Sequence, residues 1–163
     1  MSEPVLVIDF DKCTGCRACE IACSLANCGE ANPEKSRIRI VKVNEIAKII
    51  PVPVVCMHCE NPPCETVCPM SAIFTDPSTK SRRINEEKCI GCSACVYACP
   101  FGAIVVDRST GYAFTCNLCN SDPVCVKFCP TEALRYINSD EVSMRLKRTR
   151  LNKYVDFIKA EAK

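Results

Sequence analysis

Sixteen of the seventeen cysteines in this 163-residue chain stand in four sets of four: Cys13, Cys16, Cys19 and Cys23; Cys56, Cys59, Cys64 and Cys68; Cys89, Cys92, Cys95 and Cys99; and Cys116, Cys119, Cys125 and Cys129. Each set opens with C-x2-C, adds a third cysteine within a short loop and closes with a fourth four residues later. Thiolates at this spacing suit cubane [4Fe–4S] clusters, whose chemistry is one-electron transfer. A tight loop lets three thiolates reach three corners of one cube. The fourth cysteine, about 6 Å further along a helix axis, points at a different cube. The first and third sets are the bacterial C-x2-C-x2-C-x3-C run, and the second and fourth widen the middle gap.

Other uses of cysteine fit less well. Disulfides need an oxidising compartment, and the N-terminus MSEPVLVIDF has no basic region followed by an apolar core. Structural zinc accounts for paired C-x2-C elements but gives no reason for a third and fourth cysteine in every set. A radical enzyme leaves one iron of its cube open and needs a large barrel, whereas four complete quartets leave no iron open by count. No general acid or nucleophile stands out, so catalysis by this chain alone is not expected.

Elements that position these residues emerge from an internal repeat. CTGCRACEIAC (Cys13 to Cys23) and CIGCSACVYAC (Cys89 to Cys99) are one type, and CMHCENPPCETVCP and CNLCNSDPVCVKFCP are a second, in the order A, B, A, B. Extended segments VLVIDFDK and RRINEEK precede the A sets. Three sets end in Cys-Pro followed by Ala and a branched residue, in CPMSAI, CPFGAI and CPTEAL. Proline stops the short helix that carries the fourth cysteine, and IFTD, IVVD and LRYI read as the strands that follow. Cys68 and Cys89 are joined by a strand, a turn at Asp76-Pro77-Ser78 and a second strand. Ser36 to Val55 alternates around Arg37 to Val43 and then carries Pro51 and Pro53, which predicts an exposed hairpin or edge strand. The fold class is therefore α+β, built from two bacterial-ferredoxin-like two-cluster modules.

With six Phe, four Tyr and no Trp the chain makes one modest apolar core, and cysteine is about a tenth of it. The clusters must complete the core, so the apo chain should be largely unfolded. Each oxidised centre with four thiolates carries −2, so four would take the formal charge from +2 to about −6. The 21 Lys and Arg are then partly counter-charge, which argues against a nucleic-acid surface. The apolar run Ile49 to Cys56 is too short to span a bilayer. Reduced thiols and the missing signal place the protein in the cytoplasm.

The four cysteine sets in this order, over Val5 to Ile137, resemble the four-cluster iron–sulfur subunits of the dimethyl sulfoxide reductase type. The resemblance implies an electron-transfer subunit holding four [4Fe–4S] clusters, which wires a large catalytic subunit of molybdenum or tungsten pterin type to a second redox partner. That second partner would be a flavin- or NAD-binding subunit or a ferredoxin. It also implies ligand sets: Cys13, Cys16, Cys19 with Cys129; Cys116, Cys119, Cys125 with Cys23; Cys56, Cys59, Cys64 with Cys99; and Cys89, Cys92, Cys95 with Cys68. Spacing alone leaves open the sequential pairing of sets one with two and three with four. On the implied pairing one module nests in the other, with residues 1–35 and 108–140 outside, 50–107 inside and 36–49 as a hairpin or linker. The short chain is most similar to compact subunits that accompany tungsten aldehyde oxidoreductase, formate-hydrogen lyase and carbon-monoxide-linked hydrogenase. Aldehyde oxidoreductase is favoured as the partner and formate dehydrogenase comes next. A free soluble polyferredoxin or a hydrogenase-linked subunit is the alternative.

Three features stand apart from the quartets. His58, the sole histidine, lies between Cys56 and Cys59 and reads as an exposed loop residue, with a hydrogen bond to a cluster sulfur as the sharper reading. Cys28 reads as a buried free thiol. Residues 141–163 form an amphipathic C-terminal helix with Leu151, Tyr154, Val155, Ile158 and Ala162 on one face, suited to packing on its own body, to a partner or to stacking of copies.

Overall fold

The computed structural model describes residues 4–45 and 48–142. The C-terminal face of Leu151, Tyr154, Val155, Ile158 and Ala162 therefore lies outside the described residues. The chain divides into two compact units, residues 1–7 with 135–163 and residues 8–134. In the first, β1 (Pro4–Ile8) pairs with β8 (Leu134–Asn138).

The described part of residues 8–134 contains four α-helices, α1 (Ala18–Cys28), α2 (Pro63–Thr66), α3 (Ala94–Ala98) and α4 (Val124–Lys127), and two single 3-10 turns at Phe10–Lys12 and Pro33–Lys35. Three two-stranded antiparallel sheets accompany them: β2 (Ile38–Glu45) with β3 (Lys48–Val55), β4 (Ile73–Thr75) with β5 (Arg82–Ile84), and β6 (Val105–Val106) with β7 (Ala113–Phe114). Three elements are as short as they are because the cysteines punctuate them. After Cys68, Cys99 and Cys129 a proline forbids helix continuation, and the chain turns through a residue with positive φ, Ser71 at 46°, Gly102 at 61° or Glu132 at 53°. In each case the amide of that residue donates back to the cysteine carbonyl, at 3.2–3.3 Å. Strands β4 and β8 and the β6 segment start two to three residues later.

Near its open end the β2–β3 hairpin divides by face: Ile38, Ile40, Pro53 and Val55 are buried on one side while Val41 and Val43 point to solvent on the other, and Ile49, on the buried side but close to the turn, is exposed. Pro51 and Pro53 are tolerated because a two-stranded sheet consists only of edges. The hairpins β4–β5 and β6–β7 are closed by one device used twice. Asp76 Oδ1 accepts from the Ser78 amide at 2.9 Å, and Asp107 Oδ1 accepts from the Ser109 amide at 2.8 Å. The hydroxyl and amide of Ser78 hold the Asp76 carboxyl down at about 2, so it stays charged throughout the neutral range.

Cysteine is core material here, as the shortage of aromatics requires. One core cluster consists of Cys64, Ile73, Cys95, Ile104 and Ala113, with Cys68, Cys89 and Cys99 packed against it. The hairpins are thin skins over sulfur. Among the described residues no helix is long and apolar enough to cross a membrane.

Candidate iron–sulfur centres

The two A-type loops are shaped by backbone that only particular residues tolerate. Gly15 and Gly91 have φ of 73° and 66°, and a Cβ on Gly91 would stand 2.2 Å from the Gly111 carbonyl oxygen. Arg17 and Ser93, also left-handed, then open α1 and α3. The result is three thiols curled toward one space. Cys13, Cys16 and Cys19 line a cavity together with Cys129, roofed by Ile40 and Leu134. Cys89, Cys92 and Cys95 line a second cavity together with Cys68, roofed by Ile73 and Ile84. Among the described residues no three His, Cys, Asp or Glu side chains converge on a point where a single ion would sit. In these two cavities the thiols surround a space instead.

In the B-type loops the thiols lie close enough to feel one another's charge. Burial pushes the Cys116 thiol up to about 12, with further increments from Cys56, Cys23 and Cys119. Burial raises Cys125 as well, followed by the charges of Cys116, Cys23, Cys119 and Cys19. Cys56 and Cys64 are raised by burial, and each is also raised by charge on Cys99. In the A-type cavities burial raises Cys19 to about 12, then Glu20, Cys16 and Cys13 add to it, and burial raises Cys95 to about 11. Buried thiols of this kind lose the proton only where a cation replaces it, as cluster iron would.

Hydrogen bonds to sulfur support the fit of these sites to a cluster. Backbone amides of Ala72, Ala103 and Ala113 point at Cys68, Cys99 and Cys89 at 3.3, 3.5 and 3.4 Å. The Arg37 amide reaches Cys23 at 3.3 Å and the Leu118 amide reaches Cys116 at 3.4 Å. A neutral thiol gains little from such donors, whereas a cluster thiolate is stabilised by them and its potential is raised. The loop after Cys116 runs left-handed at Leu118, Cys119, Asn120 and Ser121. That costs about 1–2 kcal/mol per residue, offset in part by the Cys119 amide donating to Asn117 Oδ1 at 3.0 Å and by Arg83 Nη2 donating to Asn120 Oδ1 at 2.5 Å.

Two sequence expectations need correction. Cys28 is exposed rather than buried, because α1 runs on past Cys23 and delivers Cys28 at its outer end before Gly29 caps it. His58 is not an exposed loop residue: it is half-buried, and its Nδ1 accepts the Arg82 amide at 2.9 Å. That bond assigns the ring proton to Nε2, which is buried and has no protein partner. Burial, and then the Arg82 charge, lower its pKa to about 4, so the ring is neutral. A buried, orphaned N–H in a ligand loop is what a cluster sulfur would accept from.

Sequence reasoning missed the charged neighbours altogether. Arg82, 4% exposed, donates through Nη2 to the Cys59 carbonyl at 2.7 Å and through Nη1 to Glu65 at 2.5 Å and to Thr75. Its charge favours the thiolate of Cys64. Glu20, also 4% exposed, accepts the Ile40 amide on Oε1 at 2.6 Å and lies beside Cys19. A charged residue next to a ligand cysteine was the only sequence signal for Glu20. Nothing local marked Arg82, since its partners are 7 to 24 residues away.

Comparison with known proteins agrees with this chemistry. Residues 47–139 match the family described as 4Fe-4S dicluster domain, and residues 4–25 match the 4Fe-4S binding domain. The chain is 42% identical over 134 residues to the aliphatic sulfonate oxidoreductase, polyferredoxin-like subunit of Pyrococcus furiosus, covering 79% of this chain and 76% of that one. It is 35% identical over 162 residues to the electron transport protein HydN of Escherichia coli, covering 84% and 89%. It is 34% identical over 151 residues to the thiosulfate reductase electron transfer subunit PhsB of Salmonella typhi, covering 86% and 78%. The match over more than half its length, on loops that crowd thiols under backbone donors, means that this chain belongs to the 4Fe–4S dicluster domain family and is a non-catalytic iron–sulfur electron-transfer subunit.

Proposed function

We propose that this chain is a four-centre electron wire, with [4Fe–4S] clusters on Cys13, Cys16, Cys19 and Cys129; on Cys116, Cys119, Cys125 and Cys23; on Cys56, Cys59, Cys64 and Cys99; and on Cys89, Cys92, Cys95 and Cys68. Each cluster, when bound, accepts and releases one electron without moving atoms. The protein's own residues hold the ligands, exclude water and aim N–H donors at sulfur. On this reading the arrangement is the nested one, with an outer module of residues 1–35 and 108–140 around an inner module of 50–107.

One observation carries the order of the centres. Charge on Cys19 is felt at Cys125, charge on Cys56 at Cys116, and charge on Cys64 at Cys95. Those three sulfur neighbours support a single file on these ligand sets, with the Cys13 and Cys89 sets at the ends and the Cys116 and Cys56 sets between. Exposure supports the same ends, since Cys16 and Cys92 are the exposed members of the sixteen. Ile90 and Tyr97, both exposed, flank the Cys92 end. Apolar side chains beside a surface cysteine suit a docked protein partner.

The partner on this reading is a large catalytic oxidoreductase subunit. The likeness to a subunit of a sulfonate oxidoreductase supports an oxidoreductase partner, and the tungsten aldehyde oxidoreductase class is the one favoured. A flavin protein or ferredoxin takes the other end. Thiol-rich centres of this kind belong in a reducing compartment, the cytoplasm.

Anaerobic purification from the native source followed by metal and sulfide analysis tests the reading. About sixteen iron and sixteen sulfide per chain are expected, together with a large pterin-containing subunit. Half that iron would sink the four-centre assignment. Recovery of the chain alone, fully loaded, would favour a free polyferredoxin instead.

A further inference from the structure

The described residues contain one buried cation, Arg82, and one buried carboxylate, Glu20. They lie in different ligand environments. Arg82 donates to the Cys59 carbonyl and favours charge on Cys64, whereas Glu20 opposes charge on Cys19. Neither is fully neutralised nearby. Arg82 Nε has no hydrogen-bond partner, and Glu65, which pairs with its Nη1, has a side chain 41% exposed and so shares its charge with water. Glu20 Oε2 also lacks a hydrogen bond, and its cationic neighbour Arg17, at 3.8 Å, is half in solvent.

Reduction adds one electron to a centre and takes its core from +2 to +1, with no bond made and no proton moved. In the cell the electron comes from a redox partner, and in a titration it comes from dithionite through mediator dyes. A buried positive charge stabilises the reduced form and a buried negative charge the oxidised form, and both act strongly where water is excluded.

We propose that Arg82 and Glu20 are positioning charges that hold the centre of Cys56, Cys59, Cys64 and Cys99 and the centre of Cys13, Cys16, Cys19 and Cys129 apart in reduction potential, raising the first and lowering the second. This rests on the ligand sets given above. Its consequence is a slope within the wire: an electron arriving at the Cys13 end is drawn inward. The guanidinium is suited to the role because it cannot lose its proton. Its main chain adds to the effect by fixing His58 as an Nε2–H donor.

The test is a potentiometric titration of the loaded chain followed by EPR. Arg82→Gln keeps a donor for the Cys59 carbonyl but removes the charge. It should lower one midpoint by roughly tenfold in the reduced-to-oxidised ratio, about 59 mV for a one-electron couple. That signal should be the one missing from Cys64→Ser. Arg82→Lys should restore it. Glu20→Gln, which still accepts from the Ile40 amide, should raise a different midpoint, the one missing from Cys19→Ser.

Because Arg82→Gln could lose its centre through misfolding, Glu65→Gln supplies a surface change of opposite sign that should raise the same midpoint as the screening carboxylate is removed. Midpoints that stay fixed in fully loaded variants, shifts of the reverse sign, or loss of iron from Glu65→Gln overturn the proposal. Failure of the four-centre reading is seen separately, as low iron in the unmodified chain.

Discussion

The loops from Cys56 to Cys68 and from Cys116 to Cys129 follow the same plan with different chemistry. Each places a left-handed residue between its first two cysteines, His58 at φ 48° and Leu118 at φ 54°. Each then uses proline to start a one-turn helix that buries the third cysteine, Cys64 or Cys125. At the matched positions, however, His58 faces Leu118 and Glu65 faces Val126. One loop is wired into the Arg82 network, and the other is sealed by an apolar side chain that is 4% exposed. Ligand geometry is thus a property of the repeat, while the field around each centre is a property of the copy. An electron-transfer protein benefits from that separation, because potentials can diverge without disturbing the spacing that tunnelling needs.

The comparison can be broken most severely by removing the metal. Stripping iron anaerobically with a chelator should abolish most of the far-UV circular dichroism, because sulfur occupies the core and few apolar side chains remain to hold it together. A native-like spectrum in the apo chain would mean that the loops fold without clusters. The next effect in size is single-ligand loss. Cys64→Ser and Cys125→Ser should each cost one centre, about four irons, measured against protein. Equal losses would show that the two loops do the same job.

Exchanging the differing residues sharpens the contrast. His58→Leu should lower the midpoint of the centre lost in Cys64→Ser. Leu118→His should raise that of the centre lost in Cys125→Ser, at a stability cost of about 1–3 kcal/mol if the ring finds no acceptor. Redox titration and thermal unfolding of the loaded proteins read both. The smallest effect belongs to the hairpin turns. Asp76→Ala should lower the unfolding temperature by no more than about 2–4 °C. Asp107→Ala should lower it less, since Asp76 also pairs with Arg83 at 2.8 Å.

Much of the candidate site was legible from spacing. Thiolate quartets, the prolines after Cys68, Cys99 and Cys129, and the turn at Asp76 are local signals, and local signals survive without a fold. The misreadings of Cys28 and His58 share a cause. Burial is decided by what comes from elsewhere: α1 continues outward past Cys23, and β5 arrives 24 residues downstream to cover the His58 ring. No pattern around either residue encodes that.

By itself the sequence determined the kind of cofactor, the repeat and the positions of the turns, because ligand type and short-range backbone preference reside in neighbouring residues. Only the tertiary structure decided that Cys129 shares a cavity with Cys13, Cys16 and Cys19, and that Arg82 and Glu20 go under cover beside different sulfurs. Those outcomes depend on packing between segments far apart in the chain, where charge acts through space and leaves no mark on spacing.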